Sequence, residues 1–297
     1  MSIRIVVTGR HGQVARALTE AGAQLNVEIV PLGRPELDLG VPESIGFALT
    51  AAAPDIIVNA AAYTAVDQAE QEPERADAIN ATGAGIVAAA ARSLGVPIIH
   101  LSTDYVFDGF KATPYSEADE VAPAGVYGAS KLAGEQAVAV MAFDHVILRT
   151  AWVYAPYGKN FVRTMIALGQ TRDEVRVVAD QWGCPTYAPD IATAIITIAR
   201  NLLSNPDNPG LRGLFNLAGN GETSWADFAL AIFAILRAKG MRAPVVIPIT
   251  TADYPTAARR PANSRLDCGK LARLHGIRLP TWQDSLRTCL ERLTVES

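Results

Sequence analysis

Cysteine and histidine are scarce in this chain, and positive charge is not in excess. Cys184, Cys268 and Cys289 are an odd set with no CxxC spacing among 297 residues, which argues against a disulfide framework and a zinc ribbon alike. The four histidines, His11, His100, His145 and His275, are scattered. No metal site is expected, and core or surface roles are their default reading. The formal net charge is −4. Nucleic-acid binding draws on counterion release by a basic face, so no nucleic-acid partner is expected. No apolar run approaches the ~18 residues that span a bilayer, and the chain opens on strand-like Ile3–Thr8 in place of a charged segment and signal. No membrane partner and a cytoplasmic location are therefore expected. Internal repeats and low-complexity linkers are missing as well.

Apolar residues are plentiful, at 49%, enough for a large core and a nucleotide domain with a smaller companion. Short aliphatic runs alternate with longer Ala-rich segments, the pattern of a parallel sheet covered on both faces. Ile3–Thr8, Glu28–Leu32, Asp55–Asn59, Pro97–Ser102, His145–Thr150 and Val175–Ala179 read as strands, with Leu214–Leu217 as the last. Val14–Ala21, Glu43–Ala52, Ala76–Leu94, Ser130–Met141 and Asp190–Leu203 read as helices, which right-handed crossovers would wind over both faces. After Ala218 the texture changes. Thr223–Lys239 reads as a helix opening at Ser224-Trp225-Ala226-Asp227, followed by a Pro- and Arg-rich loop, Tyr254–Arg265, and a terminal helix, Trp282–Leu293. The expected fold is α/β: a doubly wound, Rossmann-like parallel sheet over residues 1–155 and 172–217, with a smaller α/β substrate domain from 156–171 and 218–297.

Thr8-Gly9-Arg10-His11-Gly12-Gln13-Val14-Ala15 joins the first strand to the first helix. Glycine lets the backbone approach a pyrophosphate, and the helix N-terminus offers it free N–H groups and a favourable dipole. A Gly-x-x-Gly turn alone is weak evidence, since any tight strand–helix junction can use one. The strand before it and the helix after it make it strong. Ala15 replaces the third glycine of many such loops, at a position that serves helix–strand packing. At the end of the second strand, where an acidic residue would select NAD, stands Leu32-Gly33-Arg34, with Arg10 in the turn. Two guanidinium groups can clamp a 2′-phosphate, so NADPH is favoured over NADH; the competing reading leaves either arginine solvated. Asp38 either lies near the adenine or caps the helix that starts near Val41.

Tyr127-Gly128-Ala129-Ser130-Lys131 sets a phenol and an ammonium four residues apart on one helix face. A nearby cation favours phenolate and would lower the tyrosine pKa toward the working pH, as a general acid for carbonyl reduction requires. Chance supplies about 0.1 such pairs in a chain of this composition, and an exposed Tyr/Lys contact on a solvated helix is the competing reading. Three more segments fall at the carboxyl ends of strands, where open parallel sheets bind ligands: Asn59–Thr64, Ser102–Gly109 and Leu148–Tyr154. The hydroxyls of Ser102 and Thr103 suit a turn cap and a carbonyl contact equally.

Taken together, the glycine turn, Asn59–Thr64, Asn80, Ser102–Gly109 and Tyr127–Lys131 resemble the extended short-chain dehydrogenase/reductase superfamily. Within it the chain is similar, from end to end, to the dTDP-4-dehydrorhamnose reductase family. That narrower resemblance rests on Asn59–Asp67, Ser102–Phe107, Arg149–Tyr154, Asp180–Thr186 and Pro255–Leu266, the last two being the specific ones. It implies hydride transfer from the nicotinamide to the C4 ketone of dTDP-6-deoxy-L-lyxo-4-hexulose, giving dTDP-L-rhamnose.

Under that resemblance Tyr127 would be the acid, Lys131 would hold the nicotinamide ribose and keep the phenol acidic, and Thr103 would hydrogen-bond the developing oxyanion. Beside Gly9, Arg10 and Arg34 of the turn reading, Gly12, Gln13, Val14, Asp38, Leu39, Ala62, Tyr63 and Thr64 would line the cofactor. Thr103, Asp104 and Trp152 would contact the sugar, with core packing the competing role for Trp152. Arg259, Arg260 and Arg265, in the same loop as Asn263, would meet the diphosphate of the dTDP-linked 4-keto-6-deoxy sugar; a solvated basic loop is the competing reading. Lys159, Asn160 and Phe161 could add donors. Asn80 would join a proton relay through Lys131 or only brace its helix. Tyr105 follows Asp104 where related dehydratases carry Glu, which argues against dehydration. The alternatives are a nucleotide-sugar 4-epimerase that keeps NAD bound, and a non-catalytic NADP-binding regulatory subunit. A monomer and a homodimer are both compatible.

Overall fold

Strands buried on both faces read as unbroken apolar runs, and Ile5-Val6-Val7 and Ile56-Ile57-Val58 expose no surface at all. In the computed structural model, which describes residues 2–295, these runs are inner strands of a six-stranded sheet. Its members are β1 (Arg4–Thr8), β2 (Glu28–Leu32), β3 (Ile56–Asn59), β4 (Ile98–Thr103), β5 (His145–Thr150) and β6 (Gly213–Asn216), in the order β6-β5-β4-β3-β1-β2. Every pairing is parallel. Successive side chains point to opposite faces. Ile5, Val7, Ile56 and Val58 therefore pack against the helices Gln13–Leu25 and Ala188–Ser204, while Val6, Ile57 and Ile98 pack against Pro42–Ala52 and Ala84–Leu94. Each fully buried aliphatic side chain of this kind contributes about 1.5–3 kcal/mol. The strand order reverses at β1, which lies between β2 and β3, and ligands bind at the carboxyl ends of strands beside such a reversal.

Val175–Ala179, expected as a strand of this sheet, stands elsewhere. Glu174–Val178 pairs in parallel with Val245–Ile249 in a separate two-stranded sheet. Val175 and Val177 are buried while Glu174 and Arg176 are exposed, a period-two pattern for which a doubly covered sheet has no place. The two valines pack with Phe228, Ile232 and Phe233 in a second core, enclosed by the helices Phe161–Thr171, Trp225–Ala238 and Trp282–Val295. Side chains cap all three, Thr281 Oγ1 accepting from Asp284 N at 3.3 Å at the last. Asn160 Oδ1 accepts from Arg163 N at 3.1 Å, and Ser224 Oγ accepts from Asp227 N at 3.0 Å. Among the described residues no helix is long and apolar enough to cross a membrane.

Candidate active site

The helix Val126–Met141 carries both Tyr127 and Lys131, and glycines bring it hard against its neighbours. A Cβ on Gly128 would lie 2.2 Å from the Tyr105 carbonyl oxygen, and one on Gly134 would lie 2.1 Å from that of Asn80. Only glycine permits both approaches. The helix is capped from outside its own sequence: Gly125 has no side chain to offer, and Glu70 Oε1 accepts from Val126 N at 2.9 Å. Asn80 lies in a π-helical turn, Ala78–Gly83, a feature that recurs at functional sites. Its Oδ1 accepts from Tyr63 N at 2.8 Å, and its Nδ2 donates to Tyr63 O at 3.1 Å and Ser130 Oγ at 3.0 Å. Asn80 thus ties the tyrosine helix to the loop after β3. Lys131 Nζ turns elsewhere, donating to Leu101 O at 2.7 Å and lying 3.4 Å from His100 Nε2.

Tyr127 is half-buried and edge-on to Tyr105, with ring centroids 5.4 Å apart. Burial pushes its phenol well above the ordinary range; the neighbouring Thr103 hydroxyl pulls it down, and the Asp104 carboxylate raises it further. The expected acidification by Lys131 is not found: its Nζ is turned to Leu101 O, and desolvation dominates at both residues. The lysine's own pKa is pushed down to about 8 by burial, with Glu135 acting against the fall. Tyr127 is therefore a protonated phenol at neutral pH, the form an acid must have before it reacts.

Thr103 caps the short turn Asp104–Val106, accepting from Tyr105 N at 3.2 Å and donating to Asp104 Oδ1 at 3.1 Å. Desolvation pushes the Asp104 pKa up to about 6, against hydrogen bonds from Ser264 and Thr103. Its Oδ2 is buried and has no partner among the described residues. Ser102 is turned away from Tyr127, donating to Glu135 Oε1 at 2.5 Å beside the buried Glu135–Arg149 ion pair. Of the two neighbouring hydroxyls, Thr103 is the one at the phenol.

The glycine turn has the geometry of an anion cradle. Gly9 takes φ +87°, and a Cβ there would sit 3.0 Å from Ala61 Cα. Gly12 donates to Gly9 O at 2.7 Å and is the N-cap of Gln13–Leu25. It brings no side-chain acceptor, so the first N–H groups of the helix remain without a side-chain cap, as pyrophosphate binding requires. Val14 is buried, and Gln13 Oε1 accepts from Asn160 Nδ2 at 2.8 Å, linking the turn to the start of the Phe161–Thr171 helix. Asp38 is not a helix cap: its Oδ1 accepts from Gly40 N at 2.9 Å, and the Pro42–Ala52 helix starts at Val41 without a side-chain cap. Leu39 is buried in the core, which leaves its backbone to line a ligand. Ala62, Tyr63 and Thr64 follow β3 as expected, with the Tyr63 hydroxyl donating to Glu72 at 2.9 Å. Arg10 pairs with Glu36 at 3.1 Å and donates to Pro31 O at 3.2 Å, and Arg34 is exposed.

On the substrate side, Trp152 has φ +50°, a conformation that non-glycine residues hold only where the surroundings impose it. Its ring stacks on Trp225 at 3.4 Å between centroids and 9° between planes, and a Cβ on Gly183 would fall 2.3 Å from it. The arginine loop divides by partner. Arg260 pairs with Asp67 at 2.5 Å, while Arg265 pairs with Glu222 at 3.0 Å and donates to Ala112 O at 2.6 Å. Arg259 is exposed and stacks on Phe110 at 4.5 Å. It lines a narrow cavity with Tyr105, Asp108, Gly125 and Arg260. Asn263, expected at the sugar nucleotide, braces the loop instead. Its Nδ2 donates to Lys111 O at 2.7 Å and Thr113 O at 2.9 Å, and its Oδ1 accepts from Arg265 Nε at 2.8 Å.

With this geometry in view, the RmlD substrate binding domain family matches residues 3–295. A dTDP-4-dehydrorhamnose reductase of Sinorhizobium fredii is 54% identical over 294 residues, 99% of each chain. The chain belongs to the dTDP-4-dehydrorhamnose reductase family. Two solved structures of reductases so named share the fold throughout. That from Bacillus anthracis, in complex with NADP, is 38% identical with a TM-score of 0.89 and covers 100% of both chains. That from Clostridium acetobutylicum is 38% identical with a TM-score of 0.88, covering 98% of this chain and 100% of its own.

Against this dTDP-4-dehydrorhamnose reductase fold, sequence reasoning gave no role to four site residues. Glu70 caps the tyrosine helix, Asp67 holds Arg260, Trp225 backs Trp152, and His100 faces Lys131. Asp67 closes the Asn59–Asp67 motif and Trp225 lies in the Ser224–Asp227 helix start, but no neighbour in sequence supplies the partner of either. Glu70 and His100 gave no signal, because their partners are 56 and 31 residues away in sequence.

Proposed function

We propose that this protein reduces the C4 ketone of a dTDP-linked 4-keto-6-deoxy sugar, dTDP-6-deoxy-L-lyxo-4-hexulose, to dTDP-L-rhamnose with NADPH. The observation that carries this reading is the Tyr127 phenol, kept protonated by burial, beside the Thr103 hydroxyl at the carboxyl end of β4. NADPH, when bound, supplies the hydride to C4. As negative charge builds on the C4 oxygen, Tyr127 gives up its proton to it and Thr103 hydrogen-bonds the developing oxyanion. The uncapped glycine turn accepts the pyrophosphate, and Lys131 holds the nicotinamide ribose. Trp152 forms a wall for the hexose, and Arg259, whose guanidinium has no ion pair among the described residues, meets the diphosphate. The choice of NADPH draws on the NADP-bound relative from Bacillus anthracis.

In this reading residues 1–155 and 172–217, without Glu174–Val178, serve the cofactor, and 156–171 and 218–297 serve the sugar nucleotide. The enzyme works in the cytoplasm as a monomer or homodimer. The test follows nicotinamide oxidation by absorbance with that sugar nucleotide and either NADPH or NADH. Turnover with NADPH is the expected result. NAD retained through purification together with an epimerised product would overturn reduction, and tight NADP binding without turnover would mark a regulatory subunit.

A further inference from the structure

A buried polar chain runs behind Lys131, and the proposed reduction does not use it. Thr8 at the end of β1, Asn59 at the end of β3 and His100 in β4 are 0%, 1% and 1% exposed. Ala61 N donates to Thr8 Oγ1 at 3.1 Å, and the Thr8 hydroxyl donates its own proton to Asn59 Oδ1, 2.7 Å away. The Asn59 amide is oriented by that bond, and its Nδ2 faces His100 Nδ1 at 3.1 Å. An amide NH₂ can only donate, so Nδ1 accepts and carries no proton. Burial, with Lys131 nearby, holds the His100 pKa well below its ordinary value. The ring is therefore neutral, with its one proton on Nε2, and that Nε2–H faces Lys131 Nζ at 3.4 Å.

An ammonium has three donors and no acceptor, so it meets this imidazole donor to donor. A neutral amine accepts from Nε2–H and still donates to Leu101 O at 2.7 Å. Of the neighbouring charges, Glu135, one turn along the same helix, favours the ammonium. Its carboxylate is already held by Arg149 of β5 and Ser102 of β4. Tyr127, one turn earlier, keeps its proton beside Asp104, and His145 of β5 acts with Lys131 to disfavour charge on His100. Asn80 and Ser130 on the remaining side bring hydrogen-bonding groups without charge.

We propose that the Thr8–Asn59–His100 chain favours the neutral amine of Lys131 over its ammonium in the free enzyme, so that at alkaline pH cofactor binding is coupled to uptake of a proton by Lys131. Asn59 and His100 are positioning residues in this scheme, acting through the lysine. The ribose hydroxyls and phosphate charges of a bound dinucleotide favour the ammonium, so the inference rests on the NADPH reading above. Above the free-enzyme pKa of Lys131, which burial sets at about 8, the Kd for NADPH should rise about tenfold per pH unit.

The deciding measurement needs no cofactor. With four histidines in the chain, ¹⁵N NMR of the free protein, assigned through His100→Gln, should show His100 as the Nε2–H tautomer without titration in the neutral range. An Nδ1–H tautomer, or a His100 that titrates near its ordinary pKa, overturns the proposal. Asn59→Asp adds the functional arm. Its carboxylate would draw the imidazole proton to Nδ1 and turn the Nε2 lone pair to Lys131. The pH at which the NADPH Kd begins to rise should move up by about one unit; an unmoved onset overturns the coupling. Absence of NADPH binding by the wild type at every pH would instead defeat the cofactor reading. The tautomer result stands independently of that failure and of any misfolding of Asn59→Asp.

Discussion

Replacing Glu135 by leucine probes the charge buried directly behind the active site. Glu135 Oε1 accepts from Ser102 Oγ at 2.5 Å and Arg149 Nε at 2.8 Å, and Oε2 accepts from Arg149 Nη2 at 2.6 Å. The pair is nearly sealed, with 3% of the Arg149 side chain and 6% of the Glu135 side chain exposed. In Glu135→Leu the guanidinium keeps its charge and loses both bonds. Its Nη1 is already without a partner among the described residues, and the Phe107 ring, 4.9 Å away, offers a weak cation–π contact in exchange. Removing one member of a buried pair costs about 3–5 kcal/mol, against a total stability of about 5–15 kcal/mol for a domain. Urea unfolding should show the loss as a lower midpoint at an unchanged slope. Glu135→Leu combined with Arg149→Met removes both charges and should recover most of the stability, because the net worth of a buried pair relative to apolar residues is small. A single variant within about 1 kcal/mol of wild type, or a double variant no better than the single, would refute the sealing of this charge.

Other outcomes follow from neighbouring residues. The Asp104 carboxyl titrates at about 6 in the folded protein against a reference of 3.8, so between those values the native state holds a proton that the unfolded chain has released. Stability should fall by about 3 kcal/mol as pH rises through that window; Asp104→Asn should flatten the fall, and parallel curves for the two proteins would contradict the assignment. Gly134→Ala places a Cβ 2.1 Å from Asn80 O, which should destabilise by about 1–3 kcal/mol and weaken NADPH binding through the displaced Tyr63 loop. A wild-type Tm and Kd would contradict it. Trp225→Ala removes the stack that holds Trp152, and KM for the sugar nucleotide should rise about tenfold with the NADPH Kd unchanged. A change in NADPH affinity alone would contradict the placement of Trp152 at the sugar.

The strands of the main sheet were legible because both of its faces are covered, so that Ile5–Val7 and Ile56–Val58 appear as unbroken apolar runs. Val175–Ala179 reads as a strand of the main sheet, whereas the strand found there, Glu174–Val178, belongs to a separate sheet. Its alternating charges, with Val175 and Val177 turned inward, carry the correct answer. Val245–Ile249 was missed because Pro248 weakens a strand pattern. At the site, the glycine turn and the Tyr127/Lys131 spacing are local features, and sequence displays such features directly. The direction of the Tyr127 pKa shift is not local, since it depends on burial created by distant segments. The same holds for the partners that Arg10 and Asn263 find in Glu36 and in the Lys111–Thr113 backbone.

Single-turnover reduction by Tyr127→Phe addresses proton donation most directly, because phenylalanine keeps the ring against Tyr105 and removes only the hydroxyl. NADPH affinity is measured on the same protein. Hydride transfer to the dTDP-linked 4-keto sugar should slow by about 10²–10⁴-fold, with the NADPH Kd within about twofold of wild type. A Tyr127→Phe enzyme that reduces the ketone within about tenfold of the wild-type rate would show that the proton comes from elsewhere.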